Sequence, residues 1–249
     1  MPRFASALCA LFVAALFTLP AAAQPANDGP YADFVPGANG EPFTTWGDAP
    51  PDTALVARIF TLSFAEPCEQ GIWGDPEMRT PQVYDFSYRE PWDEADAPDK
   101  TLRLYRFFCG SGAYNVQSVY MTWVVDNGLR ALSFSQPTFE ATYVDPDNFE
   151  GAVSAIALTG QSATSFLVNS AVDPATGTIS SQSCWRGLCD ASSIGVWVLE
   201  GAEYRLQRFL VDPSYDGEMN HISLVDYTAP RQLPLDIVPT PDLPMPEEF

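Results

Sequence analysis

The chain has 249 residues, with 12 basic against 32 acidic side chains and a formal net charge of -20. A field of that sign repels nucleic acid and anionic lipid headgroups, which makes both poor candidate partners. The length is enough to bury a sizeable core in one all-β domain or two small ones.

The first residues read as an export signal. Met1-Pro2-Arg3 is a short positive region, Phe4 to Leu19 is almost entirely apolar, and Ala21-Ala22-Ala23 follows Pro20 as a cleavage site. Cutting after Ala23 makes Gln24 the first mature residue and removes Arg3, so the mature net charge becomes -21. A membrane anchor would need about 20 apolar residues without a cleavage site. Cys9 lies inside the apolar run, so lipid attachment is not indicated. No later segment is long and apolar enough to span a bilayer, so no membrane insertion is expected.

Residues 24–52 are rich in Pro, Gly, Asn and Asp and read as an extended arm, with Tyr31, Phe34, Phe43 and Trp46 as anchors. Residues 53–228 read as an all-β domain, an antiparallel sandwich or open barrel. Its candidate strands are Leu55–Phe64, Gln82–Arg89, Thr101–Cys109, Tyr114–Val125, Leu129–Ser135 and Thr138–Val144. Six more follow at Ala152–Leu158, Ser165–Ala171, Thr178–Cys184, Ile194–Leu199, Tyr204–Val211 and His221–Tyr227. A short helix is the alternative at Leu55–Phe64, because a brief apolar run does not fix its period. Asn127-Gly128 is expected as a two-residue hairpin turn, with further connections at Glu200-Gly201 and Asp173–Gly177. Trp123 after Cys109 and Trp197 after Cys189 echo each other, which admits two similar halves meeting near residues 145–150. Core candidates are Phe60, Leu62, Phe86, Leu104, Tyr120, Trp123, Leu132, Phe166, Trp197 and Leu206. From Ala229 onward six prolines forbid regular ladders, so residues 229–249 read as a Pro-rich tail.

Export places the remaining cysteines, Cys68, Cys109, Cys184 and Cys189, in an oxidising compartment, periplasmic or extracellular, where disulfides are the default. Three pairings are open. Cys68–Cys109 with Cys184–Cys189 is favoured, because Cys184-Trp-Arg-Gly-Leu-Cys189 can close a small loop. A zinc site is the alternative, but the spacing is unusual and His221 is the sole histidine.

The chemistry-bearing motifs are sparse. Any Ser-His-Asp arrangement must use His221, and no nucleophile elbow, HExxH pair or phosphate loop occurs. Two acidic clusters stand out: Trp92, Asp93, Glu94, Asp96 and Asp99 in a hairpin loop, and Asp145, Asp147, Asn148 and Glu150 further on. Such carboxylates can hold calcium, but neither cluster has the EF-hand order, so no cofactor is assigned. Paired carboxylates can also cleave glycosides. Loop tryptophans Trp46, Trp73 and Trp92 can stack on sugars or peptides, or cap the core.

Leu104–Cys109 followed by Gly110-Ser111-Gly112-Ala113-Tyr114-Asn115 resembles an element of an uncharacterised exported proteobacterial family, a domain of unknown function. Val172–Gly177, Arg186–Asp190, Trp197–Gly201 and Tyr204-Arg205-Leu206 are similar to that family's C-terminal part, so the resemblance covers roughly residues 100–228. It implies an extracytoplasmic protein without an assigned activity. Read from the residues themselves, Gly110 and Gly112 suit a tight turn in which Asn115 bonds the backbone and Tyr114 packs below. The expectation is a non-enzymatic binding or envelope-accessory module for a small molecule, glycan or protein. Its candidate recognition residues are Trp92, Asp93, Glu94, Asp96, Asp99, Tyr114 and Asn115. The alternatives are a carboxylate-dependent hydrolase acting on a glycan-like substrate and a calcium-stabilised structural module.

Overall fold

The computed structural model describes residues 49–125 and 127–229. The signal segment, most of the arm and nearly all of the Pro-rich tail lie outside them. The described residues are mostly β, in open antiparallel sheets with no closed barrel.

The first sheet runs β1 (Gln82–Tyr88), β2 (Lys100–Ser111), β3 (Val116–Val124), β4 (Gly128–Ala131), with β7 (Phe166–Val168) sharing the free edge of β3. The second runs β12 (Ile222–Asp226), β11 (Glu203–Asp212), β10 (Ser192–Glu200), β9 (Ile179–Cys184), β8 (Ala171–Val172). Between them in sequence, β5 (Phe134–Tyr143) and β6 (Val153–Thr164) form a long separate hairpin. Residues 145–150 lie in the turn of that hairpin, where Tyr143 pairs with Val153. A junction of two halves there would fall between the paired strands β5 and β6.

Alternation along β2 and β3 explains the layering. Leu102, Leu104, Tyr120 and Val124 face the second sheet and join Phe86, Phe134, Ile179 and Trp197 in the main core. Tyr105, Phe107, Cys109, Val119, Met121 and Trp123 point the other way. That outer face is covered by two helices, α1 (Thr53–Ser63) and α2 (Glu69–Trp73). The first sheet is therefore covered on both faces, which is why β2 carries buried apolar residues on both sides, Leu102 and Leu104 on one and Tyr105, Phe107 and Cys109 on the other.

The segment read as a strand or short helix at Leu55–Phe64 is helix. Asp52 caps it by accepting from the Ala54 amide at 2.7 Å. Val56, Phe60 and Phe64, four residues apart, lie on one buried side, and Phe60 stacks on Phe107 with ring centroids 4.2 Å apart. Leu62, expected in the core as a strand residue, falls on the opposite side of this helix and is exposed. The other core candidates are buried, apart from Phe166 and Leu206, which are half-buried at the margin.

Two expected turns close as hairpins. Glu200 pairs with Glu203 across Gly201, whose φ is +61°, and Val172 pairs with Ile179 across Asp173–Gly177. Asn127-Gly128 is not a two-residue turn. Val124 pairs with Gly128, so Gly128, at φ +67°, belongs to β4 and not to the turn.

Candidate functional site

The expected recognition residues do not form one surface. Trp92 to Asp99 join β1 to β2, whereas Tyr114 and Asn115 join β2 to β3 at its other end. The twelve-residue length of β2 separates the two loops by roughly 35 Å at about 3.3 Å per residue.

The first loop is organised by its cations. Arg89 donates to Asp99 at 2.8 Å and to the carbonyls of Ala95 and Ala97. Asp93 accepts from Lys100 at 2.8 Å and from the Glu90 amide at 2.7 Å. The Lys100 hydrogen bond, then the Glu90 amide, hold the Asp93 carboxyl below its ordinary pKa. Trp92 is 77% exposed. Among the described residues the side chains of Glu94 and Asp96 take no hydrogen bond or ion pair, and no three His, Cys, Asp or Glu side chains group as metal ligands. In the second acidic loop Asp145 and Asn148 accept from the Asp147 and Glu150 amides, and Glu150 faces Arg186.

Tyr114 and Asn115 fasten the two sheets together. The Asn115 amide donates to the Cys184 carbonyl at 2.7 Å, and its oxygen accepts from the Cys184 amide at 3.2 Å and from Asn169 at 3.0 Å. Asn169, at φ +44°, accepts from the Val116 amide and donates to the carbonyls of Tyr114 and Gln182. The Tyr114 hydroxyl donates to the Trp185 carbonyl at 3.2 Å. The Tyr-Asn element thus seats the small disulfide loop of the second sheet, a structural task.

Both cysteine pairs form as expected. Cys68–Cys109 ties α2 to β2, and Cys184–Cys189 closes the loop after β9, with Cα atoms 4.3 and 4.6 Å apart. Inside that loop Arg186 grips Asp190 with two donors and reaches the Tyr215 carbonyl at 2.6 Å, while Asp190 also accepts from the Gly217 amide at 2.9 Å. The Arg186 hydrogen bond first, then the Gly217 amide, hold the Asp190 carboxyl well below the usual carboxylate range against opposing desolvation. A carboxyl whose folded pKa is depressed stabilises the fold above its unfolded pKa, near 4, and loses that contribution as pH falls below it. Urea titrations at several pH values should therefore show an acid-side loss of stability that is smaller in Asp190→Asn, whose stability at neutral pH is lower throughout.

His221 contacts Ser192, with Nε2 and Oγ 2.9 Å apart. Ser192 is fully buried, and among the described residues the other ring nitrogen makes no hydrogen bond. Nearby Asp212 instead accepts from Ser214 and the Asn220 amide. A nucleophile needs access and an oriented base, so this contact secures the β11–β12 loop and does not form a catalytic triad.

The open site lies where the core ends. Down the facing rows of β9 and β10, Ile179 pairs with Trp197, Ser181 with Gly195, and Ser183 with Ser193. The side chains shrink from large and apolar to small and polar, so the packed interior gives way to a cleft of about 280 Å³. A Cβ on Gly195 would come within 2.2 Å of the Trp197 ring, so only glycine lets that indole lie across the floor. The hairpin contributes Gln136 and Thr164, the first sheet Gln117, Phe166 and Val168, and β11 Phe209. Gln117, Gln136, Ser183 and Ser193 make no side-chain hydrogen bond within the described protein, and no charged residue lines the cleft. Sequence reasoning missed it. The available signal was Ser at the inward-facing positions 181, 183 and 193, where a closed core would carry apolar residues.

A second cleft of about 300 Å³ beside the Cys68–Cys109 bond holds two exposed glutamates, Glu66 and Glu69.

These features define a disulfide-tied antiparallel β module with a helical cover on one sheet and a neutral polar cleft at the junction of its sheets. The chain belongs to the DUF1176 family, described as proteins of unknown function, whose family model matches residues 77–219. All the residues of the neutral cleft fall within that match, whereas α1, α2 and Cys68 precede it. No curated protein and no solved structure matches the chain. Among the described residues no helix is long and apolar enough to cross a membrane.

Proposed function

We propose that this protein is an exported, non-enzymatic binding or envelope-accessory module whose ligand is small, neutral and hydroxyl-rich, such as a sugar ring. The observation that carries the reading is the cleft of unbonded Gln117, Gln136, Ser183 and Ser193 with no carboxylate in its wall. Amide and hydroxyl groups supply both donors and acceptors, the complement of a sugar's hydroxyls, and the Phe166 face adds an apolar contact. A cleft of about 280 Å³ is at the small end of ligand sites, which suits a single ring better than a long oligomer. The two disulfides fit an oxidising, periplasmic or extracellular setting.

Calorimetric titration with a panel of neutral mono- and disaccharides tests this. Binding should be abolished in Ser193→Trp, which fills the cleft, and weakened about fivefold in Gln136→Ala, the loss of roughly 1 kcal/mol of hydrogen bonding. Turnover of a glycan that disappears in Glu66→Gln or Glu69→Gln while the variant stays folded would replace the binding reading with the hydrolase one.

A further inference from the structure

Among the described residues of this strongly acidic protein, Arg106 is a cation that pairs with no anion. Arg89, Arg103, Arg130, Arg186, Arg205, Arg208 and Lys100 each pair with a carboxylate. Arg58, Arg79 and Arg106 have no such pair among the described residues, and of these only Arg106 is held by hydrogen bonds at the wall of a cleft. Its Nε donates to Ser118 Oγ at 3.1 Å and its Nη1 to Gln82 Oε1 at 3.2 Å. Both partners are neutral, so they fix the plane of the guanidinium without compensating its charge, and Nη2 makes no hydrogen bond among the described residues. Ser118 is itself 2% exposed, which makes the anchor rigid.

The cleft measures about 240 Å³ and is walled on its apolar side by Met78, Phe108 and Val116. It opens at the end of the first sheet, beyond the rows of Leu102 and Leu104 that the second sheet covers. Val116 and Met78 are exposed at 40% and 44%, an apolar rim beside an oriented cation. Glu77 also lines the cleft, forms no ion pair with Arg106, and adds negative charge there.

We propose that this cleft is a second ligand site, distinct from the neutral one, and that it takes a small monocarboxylate with an apolar body. The carboxylate meets the guanidinium of Arg106, and the body lies on Phe108 and Val116. A planar guanidinium aimed by two neutral hydrogen bonds is pre-organised for a carboxylate. A single cation beside Glu77, on a chain of net charge -20, favours a monoanion over a doubly charged phosphate.

The test uses the purified protein with 3-phenylpropionate, its amide and phenyl phosphate as probes, followed by NMR of the Arg106 Nε–H and the backbone amides. The expected result is saturable shifts at Arg106 and Val116 for the carboxylate, with affinity about tenfold or more weaker for the amide and for Arg106→Gln. Phenyl phosphate should bind more weakly than the carboxylate. Val116→Trp, an exposed position, should block the site without loss of stability, which keeps the test decisive if Arg106→Gln folds poorly. Ser193→Trp should leave carboxylate binding unchanged, separating this site from the neutral cleft. Absence of binding, equal binding of the amide, or full binding by both cleft variants would overturn the proposal.

Discussion

Trp197→Ala should lower the free energy of unfolding by about 3 to 5 kcal/mol, the largest effect expected of any single side chain here. Trp197 is 1% exposed and is the largest of the fully buried side chains. Its ring meets Phe134 edge-on with centroids 5.3 Å apart, and its Nε1 donates to the Ser135 carbonyl at 3.1 Å. Truncation would open a cavity between the two sheets, remove that aromatic pair and leave the Ser135 carbonyl without its donor. The neighbouring Gly195, over which the indole lies, has no side chain that could fill the space. Urea unfolding at neutral pH measures the effect, with Trp92→Ala as control. Trp92 is mostly exposed, so its removal should change stability by no more than about 0.5 kcal/mol.

Replacing Cys68 and Cys109 together by Ser should cost about 4 kcal/mol, from the loop-closure entropy of a 41-residue separation. The same reasoning gives about 2 kcal/mol for Cys184 and Cys189, which lie five residues apart. The two losses also differ in character. Cys68–Cys109 joins the helical layer to β2, and the outer core beneath that layer contains Tyr105, Phe107, Met121 and Trp123. Without the bond, the helices are kept on the sheet by apolar contact and by the Gln70 side chain of α2, which accepts from the Ser111 amide of β2 at 2.7 Å. The double variant should therefore show greater binding of a hydrophobic dye and a red-shifted Trp123 emission before global unfolding. Equal losses from the two pairs would show that the helical cover does not depend on its disulfide.

The parts of the fold set by local rules were legible in the sequence. Alternation located most strands to within a few residues, although Leu129–Ser135 ran across the end of β4 into β5, Ala152–Leu158 covered only the first half of β6, and Ser165–Ala171 merged β7 with the start of β8. Gly201 and Gly177 marked hairpins because turns there need positive φ. The short spacing of Cys184 and Cys189 identified their loop. The helix α1 was ambiguous because ten apolar-rich residues satisfy either period. The deciding features were the Asp52 cap and the spacing of Val56, Phe60 and Phe64, and the facing surface of Phe107 and Trp123 that rewards the helix is distant in sequence. The site was harder to read for a related reason. Acidic residues dominate by number, yet Asp93, Asp99 and Asp190 are taken up by Lys100, Arg89 and Arg186. Gln117, Gln136, Ser183 and Ser193 come from different sheets and converge only once the hairpin β5–β6 is in place. Asn115 was noticed for its motif, but its role depends on Asn169 and Cys184, partners 54 and 69 residues away.

The central claim is that the neutral cleft binds a hydroxyl-rich ligand without turning it over. The most direct measurement is a backbone-amide shift map of the protein titrated with a neutral saccharide, together with analysis of the recovered sugar. The expected result is saturable shifts confined to Gln117, Gln136, Ser183, Ser193 and their neighbours, with the sugar recovered intact. Shifts centred elsewhere, no shifts across a panel of neutral sugars, or a cleaved product would contradict it.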